Sequence, residues 1–208
     1  MKWFRSLTVA AVVVSLTLSA ATAFGQEEKK PEGMAAGMAE DPMMELMQKY
    51  GTPGKEHAEL AKMVGKWDAA TTMWMAPDAE PVTSTGSVVI TSVLGGRWFQ
   101  QNYTGDMMGM PFTGIGYLGF DKFKNQYVST WMDDMSTMTM ISYGDASPDG
   151  KTITYSGVCD DIMTGTKNKV YKSVVHNVDD NTSIFEMYDK TPEGKEYKMM
   201  EIKYTRGK

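Results

Sequence analysis

The side chains best suited to chemistry lie in the segment 131–136, which reads WMDDMS and sets two carboxylates and a hydroxyl beside an indole. Asp133 has the same strand parity as Trp131, so both side chains are expected on one face. A carboxylate whose pKa is raised by burial can act as a general base. Asp133 is the candidate for that role, with Ser136 or Arg97 as a second polar group. The alternative is that both carboxylates and the hydroxyl form a solvated turn.

The chain has two histidines, His57 and His176, and neither lies near a cysteine or a cluster of carboxylates in the sequence. This pattern does not predict a zinc site. His57, near the start of a helix, is expected at the surface. His176 shares strand parity with Lys172, which favours an outward side chain, although Val174 has the same parity.

The 20 methionines raise the possibility of a copper site, because thioethers are soft ligands that suit Cu(I). Five precede His57 within a short stretch: Met34, Met38, Met43, Met44 and Met47. The alternative is that methionine fills apolar gaps, and Met43 and Met47 fit the apolar stripe of a helix. We therefore predict no metal and no cofactor, with Cu(I) as the less favoured hypothesis.

No nucleophile motif is present in the sequence: there is no G-x-S-x-G, no P-loop and no cysteine with a matched histidine. Cys159 is the single cysteine, and the negative charge of the adjacent Asp160 and Asp161 is expected to raise its pKa and disfavour a reactive thiolate. One thiol forms no internal disulfide. A non-catalytic protein is favoured over an enzyme.

The first 25 residues have the pattern of a cleaved signal peptide. Lys2 and Arg5 are followed by an apolar run from Leu7 to Leu18, and Ala21-Thr22-Ala23 fits a cleavage site. The alternative, a membrane anchor, is disfavoured because the run is short and interrupted by Ser and Thr. We predict export to the periplasm or medium, with no membrane span after cleavage.

Cleavage would remove two basic and no acidic residues, which changes the net charge from −5 to −7. An acidic protein is a poor partner for nucleic acid or an anionic membrane. We therefore expect no nucleic-acid partner, while the oligomeric state stays open.

Residues 26–55 are expected to form a mobile, Met-rich linker that contains one short helix. Residues 26–40 are charged and small, with too little apolar content to fold. Asp41 is a good N-cap, Pro42 suits the first helical turn and Gly51 ends the helix. A second helix is predicted over 55–64, within a domain spanning 56–208.

Beyond residue 65 the apolar period changes from helical to alternating, which predicts strands. The predicted strands are 66–75, 86–94, 97–105, 112–121, 126–132, 137–144, 151–159, 167–177, 182–189 and 196–206. Turn sequences at 148–150 and 192–194 separate some of them. Longer loops are expected at 76–81 and 106–111. No connection can hold a crossover helix, so we predict an all-β fold, an antiparallel up-and-down β-barrel of about ten strands.

Glycines at 114, 116 and 119 in one predicted strand are expected to mark a bend or a bulge. At the two ends of the barrel sequence, Trp67 and Arg206 are expected to meet in a cation–π contact that closes the base.

A barrel that encloses a cavity makes ligand binding the first functional hypothesis. Strand parity and residue type assign the expected lining: Met73, Tyr103, Ser129, Trp131, Asp133, Met140, Phe185, Met187, Met200, Ile202 and Tyr204. Asp133 or Ser129 would orient a polar group of the ligand.

The segment from about His57 to Arg206 resembles the domain-of-unknown-function family 1579, a bacterial group with a lipocalin-like (calycin) fold. The matching stretches are EHAELAKMVGKW at 56–67, GDMMGMPFTGIGYLGFD at 105–121, YVSTWMDDMST at 127–137 and EYKMMEIKYTR at 196–206. The resemblance implies the fold but no activity, because the family has none established. Methionines at 107, 108, 110, 135, 138 and 140 depart from its pattern.

Related small barrels, the nitrobindins, bind haem through one histidine, so the resemblance makes His176 a haem-ligand candidate to be tested. The favoured function is non-catalytic binding of a small apolar or amphipathic molecule. The main alternative is a structural or protein-interaction barrel whose interior is filled by its own side chains. An enzyme based on Asp133, a haem binder and a Cu(I) binder are less favoured.

Overall fold

The structure is a computed structural model that describes residues 41–162 and 164–207. Two helices, α1 (Pro42–Gly51) and α2 (Lys55–Ala61), precede the sheet. The strands are β1 Gly65–Met73, β2 Val82–Val93, β3 Trp98–Met107, β4 Met110–Asp121, β5 Gln126–Asp133, β6 Met140–Ala146, β7 Thr152–Asp161, β8 Thr166–Asp179, β9 Thr182–Lys190 and β10 Glu196–Arg206. The predicted signal peptide, residues 26–40, Met34 and Met38 lie outside the described residues.

Each strand pairs antiparallel with the next, and β10 pairs with β1, so the described strands form one closed barrel. The predicted ten-stranded up-and-down barrel is confirmed. Closure leaves no open sheet edge. The register sets Trp67 opposite Arg206 at one end and Met73 opposite Met200 towards the other. We call the end with Trp67 the base, and the opposite end, where β3 meets β4, the far end.

The base is closed by Arg206. Its guanidinium lies 4.2 Å from the centre of the Trp67 ring. It also donates hydrogen bonds to the carbonyls of Lys62 (2.8 Å), Val64 (3.2 Å) and Asp180 (2.8 and 3.0 Å). The indole Nε1 of Trp67 donates to the Met63 carbonyl at 2.8 Å. One cation thus joins the first strand, the last strand and the segment that follows α2.

Helix α2 lies against the base and buries Leu60, which is 3% exposed. The helix ends at Ala61 and not at Val64 as predicted. The residues that follow form hydrogen bonds to the carbonyl three residues back and not four, such as Met63 N–H to the Leu60 carbonyl at 3.0 Å.

The prediction that His57 lies at the surface is wrong. His57 is 6% exposed and packs edge-on against Phe120, with ring centres 6.1 Å apart. Its Nδ1 accepts the N–H of Gly54 at 3.1 Å. The imidazole, at the third helical position, thus satisfies the backbone donor of the N-cap residue, as Glu or Gln does at this position in a capping box.

Helix α1 has the predicted start, since the Asp41 carboxylate accepts the N–H of Met43 at 2.8 Å. Its apolar stripe stays largely exposed: Met43 is 63% and Met47 62% accessible. Tyr50 makes an edge contact with Phe123 in the β4–β5 turn, with centroids 5.4 Å apart.

The predicted turns at 148–150 and 192–194 are present, and the N–H groups of Gly150 and Gly194 close them with bonds of 2.8 Å. The prediction of a longer loop at 106–111 is wrong. Strands β3 and β4 are joined by Met108 and Gly109 alone, with φ of 56° and 82°, as in a type I′ hairpin. The Asp106 carboxylate accepts the N–H of Gly109 at 2.9 Å and stabilises this tight turn.

Candidate functional site in the barrel lumen

The barrel encloses a cavity of about 270 Å³. Leu60, Met63 and Trp67 bound it at the base, and Asp133 and Met140 lie in its wall towards the far end. The wall is formed by alternate residues of the strands, whose side chains point inward, and most of these residues are apolar or aromatic.

Ten of the eleven residues expected to line the cavity lie in its wall: Tyr103, Ser129, Trp131, Asp133, Met140, Phe185, Met187, Met200, Ile202 and Tyr204. Met73 does not. It is buried on the inward face of β1, but it is the last residue of that strand, and Thr71 is the last β1 residue in the wall.

Several wall residues were missed from the sequence, among them Thr71, Ser84, Ser142, Tyr155, Tyr171, Ser173, Asn177 and Ser183. Strand alternation contains the signal for some of them. Tyr171, Ser173 and Val175 alternate along β8, and all three lie in the wall. For the serine and threonine residues, residue type alone does not indicate whether the side chain faces the lumen or the solvent.

Glycines of β4 hold the Trp131 ring against the barrel wall. A Cβ built at Gly114 would lie 2.2 Å from the indole, and one at Gly116 would lie 3.0 Å from its opposite edge. The six-membered ring therefore lies across both glycines. The predicted bulge is wrong, since β4 pairs with both neighbours through residues 114–119 without a register shift. Gly119 faces the other way and accommodates Trp98.

The same arrangement recurs around the lumen. Tyr103 lies over Gly86 and Gly105, and a Cβ on Gly86 would be 2.3 Å from the tyrosine hydroxyl. Tyr155 lies over Gly144, and Tyr171 lies over Gly157. Rings that rest on backbone take up less of the centre than rings that project inward. The glycines thus explain how a barrel rich in aromatic residues keeps an internal space.

The lumen offers neutral hydroxyl groups. Burial raises the pKa of Tyr155 and of Tyr204 above the ordinary tyrosine value, so both stay protonated. The Ser183 hydroxyl donates to the side-chain oxygen of Asn177 at 3.1 Å. Thr71 is 5% exposed, and its Oγ1 is the only buried side-chain polar atom without a hydrogen-bond partner in the described part of the chain.

Asp133 lies in the cavity wall, half-buried, with Trp131 Nε1 donating to its Oδ2 at 3.0 Å. Its other oxygen accepts the N–H of Met135 at 3.1 Å. The expected second groups are engaged elsewhere. The Ser136 hydroxyl accepts the N–H of Met138 at 3.3 Å, and Arg97, near the base, donates to the Leu94 carbonyl at 3.1 Å. The structure brings neither into the cavity wall.

His176 lies on the outer face of β8, with Nε2 3.3 Å from a Glu186 oxygen and Nδ1 3.2 Å from the Thr152 hydroxyl. It is not part of the lumen wall. This position gives no support to haem ligation inside the barrel.

No group of three or more His, Cys, Asp or Glu side chains able to hold a metal occurs among residues 41–162 and 164–207. Cys159 is half-buried, and burial raises the pKa of its thiol most strongly, with Asp161 and Asp160 adding to the shift and Lys169 opposing it. The adjacent negative charges, which the sequence indicates as the cause, thus contribute less to the shift than burial does.

A family model described as "Protein of unknown function (DUF1579)" matches residues 52–206. No curated protein matches the chain in sequence. Neither described helix is long and apolar enough to cross a membrane.

Solved structures with a similar fold include Rv2717c from M. tuberculosis, at 14% identity and a TM-score of 0.55, with 76% of this chain and 100% of that chain covered. The S-type phycobiliprotein lyase CPES from Guillardia theta is similar at 13% identity and a TM-score of 0.53, with 74% and 96% covered. At these identities the likeness concerns the fold alone.

Proposed function

Because the chain belongs to the DUF1579 family of proteins of unknown function, its own site has to indicate its role, and we propose that the barrel binds a small, largely apolar molecule in its lumen without catalysis. The observation that carries this proposal is the cavity of about 270 Å³ with a mostly apolar wall. Ligand pockets are typically concave and apolar with a few placed polar groups.

The cavity size favours binding over a self-filled interior. Protein interiors are close-packed and contain few voids larger than a water molecule. A space of about 270 Å³ far exceeds such voids and lies just below the usual range for ligand pockets, about 300–1,000 Å³. The ligand is therefore expected to be small.

Fluorescence titration with the neutral apolar dye N-phenyl-1-naphthylamine tests the proposal. Gln101 lies in the cavity wall, and Asn102 beside it on β3 points to solvent. Gln101→Trp fills the lumen and should weaken dye binding at least tenfold, whereas Asn102→Trp, the matched control, should leave it unchanged. Absence of saturable binding by the unmodified protein, or equal binding by both variants, would favour the structural alternative.

The proposal includes export, which the sequence pattern of residues 1–25 supports. Edman sequencing of the protein from fractionated host cells should give an N-terminus near Gln26 in the periplasm or medium. A full-length N-terminus in the cytoplasm would contradict this part of the proposal.

A further inference from the structure

The lumen wall is electrostatically one-sided. It contains one carboxylate at an inward-facing strand position, Asp133, and no lysine, arginine or histidine among the described residues that line it. Asp133 is half-buried and takes part in no ion pair within the described chain. An ionised group away from water is costly unless an opposite charge pairs with it. An anionic ligand would meet a like charge here.

Aromatic surface lies beside this carboxylate. Asp133 follows Trp131 on β5, and Trp131 packs edge-on with Tyr103 at 6.3 Å, which packs in turn on Phe112 at 5.7 Å. One face of the indole rests on Gly114 and Gly116, so the other faces the lumen. An ammonium group over an aromatic face is attracted by the ring quadrupole, and more strongly when it is desolvated.

The Asp133 carboxylate has capacity left for a cation. Each of its oxygens accepts one hydrogen bond, from Trp131 and from Met135. A carboxylate has about four acceptor positions. These two bonds therefore leave acceptor positions free for a cationic group.

A second, independent feature indicates a ligand. The Thr71 hydroxyl is buried, lies in the cavity wall and lacks a hydrogen-bond partner. Leaving such a buried group unsatisfied is destabilising, because its hydrogen bond to water is lost and not replaced. Its cross-strand partner Ser84 lies in the same wall. A hydroxyl or carbonyl on a bound molecule would satisfy Thr71.

We propose that the lumen takes an organic cation, an amine or quaternary ammonium compound with a small apolar body. The cationic group lies near Asp133 and the exposed face of Trp131. The apolar body extends towards Trp67, and a polar atom on it meets Thr71. This inference rests on the proposed lumen-binding function and names the class of ligand.

Displacement of N-phenyl-1-naphthylamine by three probes with one eight-carbon chain tests the inference: octyltrimethylammonium, 1-octanol and octanoate. The cation should bind at least tenfold tighter than the alcohol, and octanoate should bind weakest. Asp133→Asn keeps an oxygen for the Trp131 indole and should reduce the preference for the cation over the alcohol about tenfold. The control Asp78→Asn removes an exposed charge from the loop at the same end of the barrel and should change no affinity.

The outcomes separate the two proposals. Saturable dye binding with equal displacement by all three probes would overturn the cation inference and leave lumen binding intact. Failure of the unmodified protein to bind the dye would overturn both. Equal loss of alcohol and cation affinity in Asp133→Asn, with unchanged thermal unfolding, would show that Asp133 shapes the wall without selecting charge, and would also overturn the inference.

Discussion

At the base of the barrel one guanidinium binds three carbonyls in two backbone segments. Arg206 donates to carbonyls of Lys62, Val64 and Asp180 while it lies on the Trp67 ring. A planar fork with five donors can satisfy acceptors in several directions, which a lysine ammonium on a flexible stem cannot do in the same geometry. The base therefore depends on arginine specifically.

Arg206→Ala should lower the free energy of unfolding by about 2–3 kcal/mol, since it removes charge-assisted hydrogen bonds and the cation–π contact. Arg206→Lys should recover less than half of that loss. Urea unfolding followed by circular dichroism measures both. A loss below about 0.5 kcal/mol for the alanine variant would show that the strand pairing closes the barrel without this side chain.

His57 couples the base to pH. Burial lowers its pKa below the ordinary value of 6.5, with Lys122 and Arg97 adding to the shift and Glu56 opposing it. Because the unfolded chain then takes up the proton first, the free energy of unfolding should be constant above about pH 6.5 and should fall as the pH drops through 6.5 towards the lowered pKa. His57→Asn retains an acceptor for Gly54 and does not titrate.

The comparison is made by urea unfolding at pH 8, 6.5 and 5. The unmodified protein should lose more stability on acidification than His57→Asn does, and the difference should appear only below pH 6.5. Parallel losses at all three values would mean that other groups, such as the carboxylates, account for the acid sensitivity.

At the scale of strands, glycine and aromatic residues act as cross-strand pairs. Gly116 lies opposite Trp131 in the β4–β5 register, and Gly144 lies opposite Tyr155 in β6–β7. Each glycine gives a ring room to lie along the wall. The open lumen thus depends on pairing a glycine on one strand with an aromatic residue on its neighbour.

Gly114→Ala tests this dependence. The nearest atoms to the added methyl group all belong to the Trp131 side chain, so the indole has to move into the lumen. We expect a stability loss of about 1–3 kcal/mol and weaker dye binding. Ile115→Ala, at an outward position between the two glycines, should leave dye binding unchanged. A crystal structure of Gly114→Ala with Trp131 unmoved would contradict the prediction.

The sequence predicted the strands well because alternation and turn residues are local signals. It predicted Trp67 with Arg206 because the first and last strands of a closed barrel are neighbours. It did not reveal that Gly114 makes room for an indole, because the ring that occupies this space lies 17 residues away on another strand. It failed for His57 because the burial of α2 against β4 depends on tertiary packing. Thr71 was missed because hydroxyl residues suit either face of a strand.

At the scale of the whole molecule, the two helices differ in how far the barrel depends on them. No residue of α1 is buried, and its contacts include one aromatic edge, Tyr50 to Phe123, beside a bond from Lys122 to the Thr52 carbonyl at 3.0 Å. Helix α2 buries Leu60 and leads to the carbonyls that Arg206 binds. The family match begins at residue 52, after α1.

Chains that begin at residues 41, 52 and 65 should therefore form two classes. The chain from 52 should lose no more than about 1.5 kcal/mol relative to the chain from 41, the upper value for one aromatic pair. The chain from 65 should lose about 4 kcal/mol or more, because it uncovers the base and leaves Arg206 without two of its acceptors. Urea unfolding gives both differences, and dye titration shows whether the lumen persists.

If the chains from 52 and 65 were equally unstable, α1 would have to contribute far more than its exposed stripe suggests. If the chain from 65 matched the chain from 41, the ten strands alone would close the barrel, and α2 would only cap it.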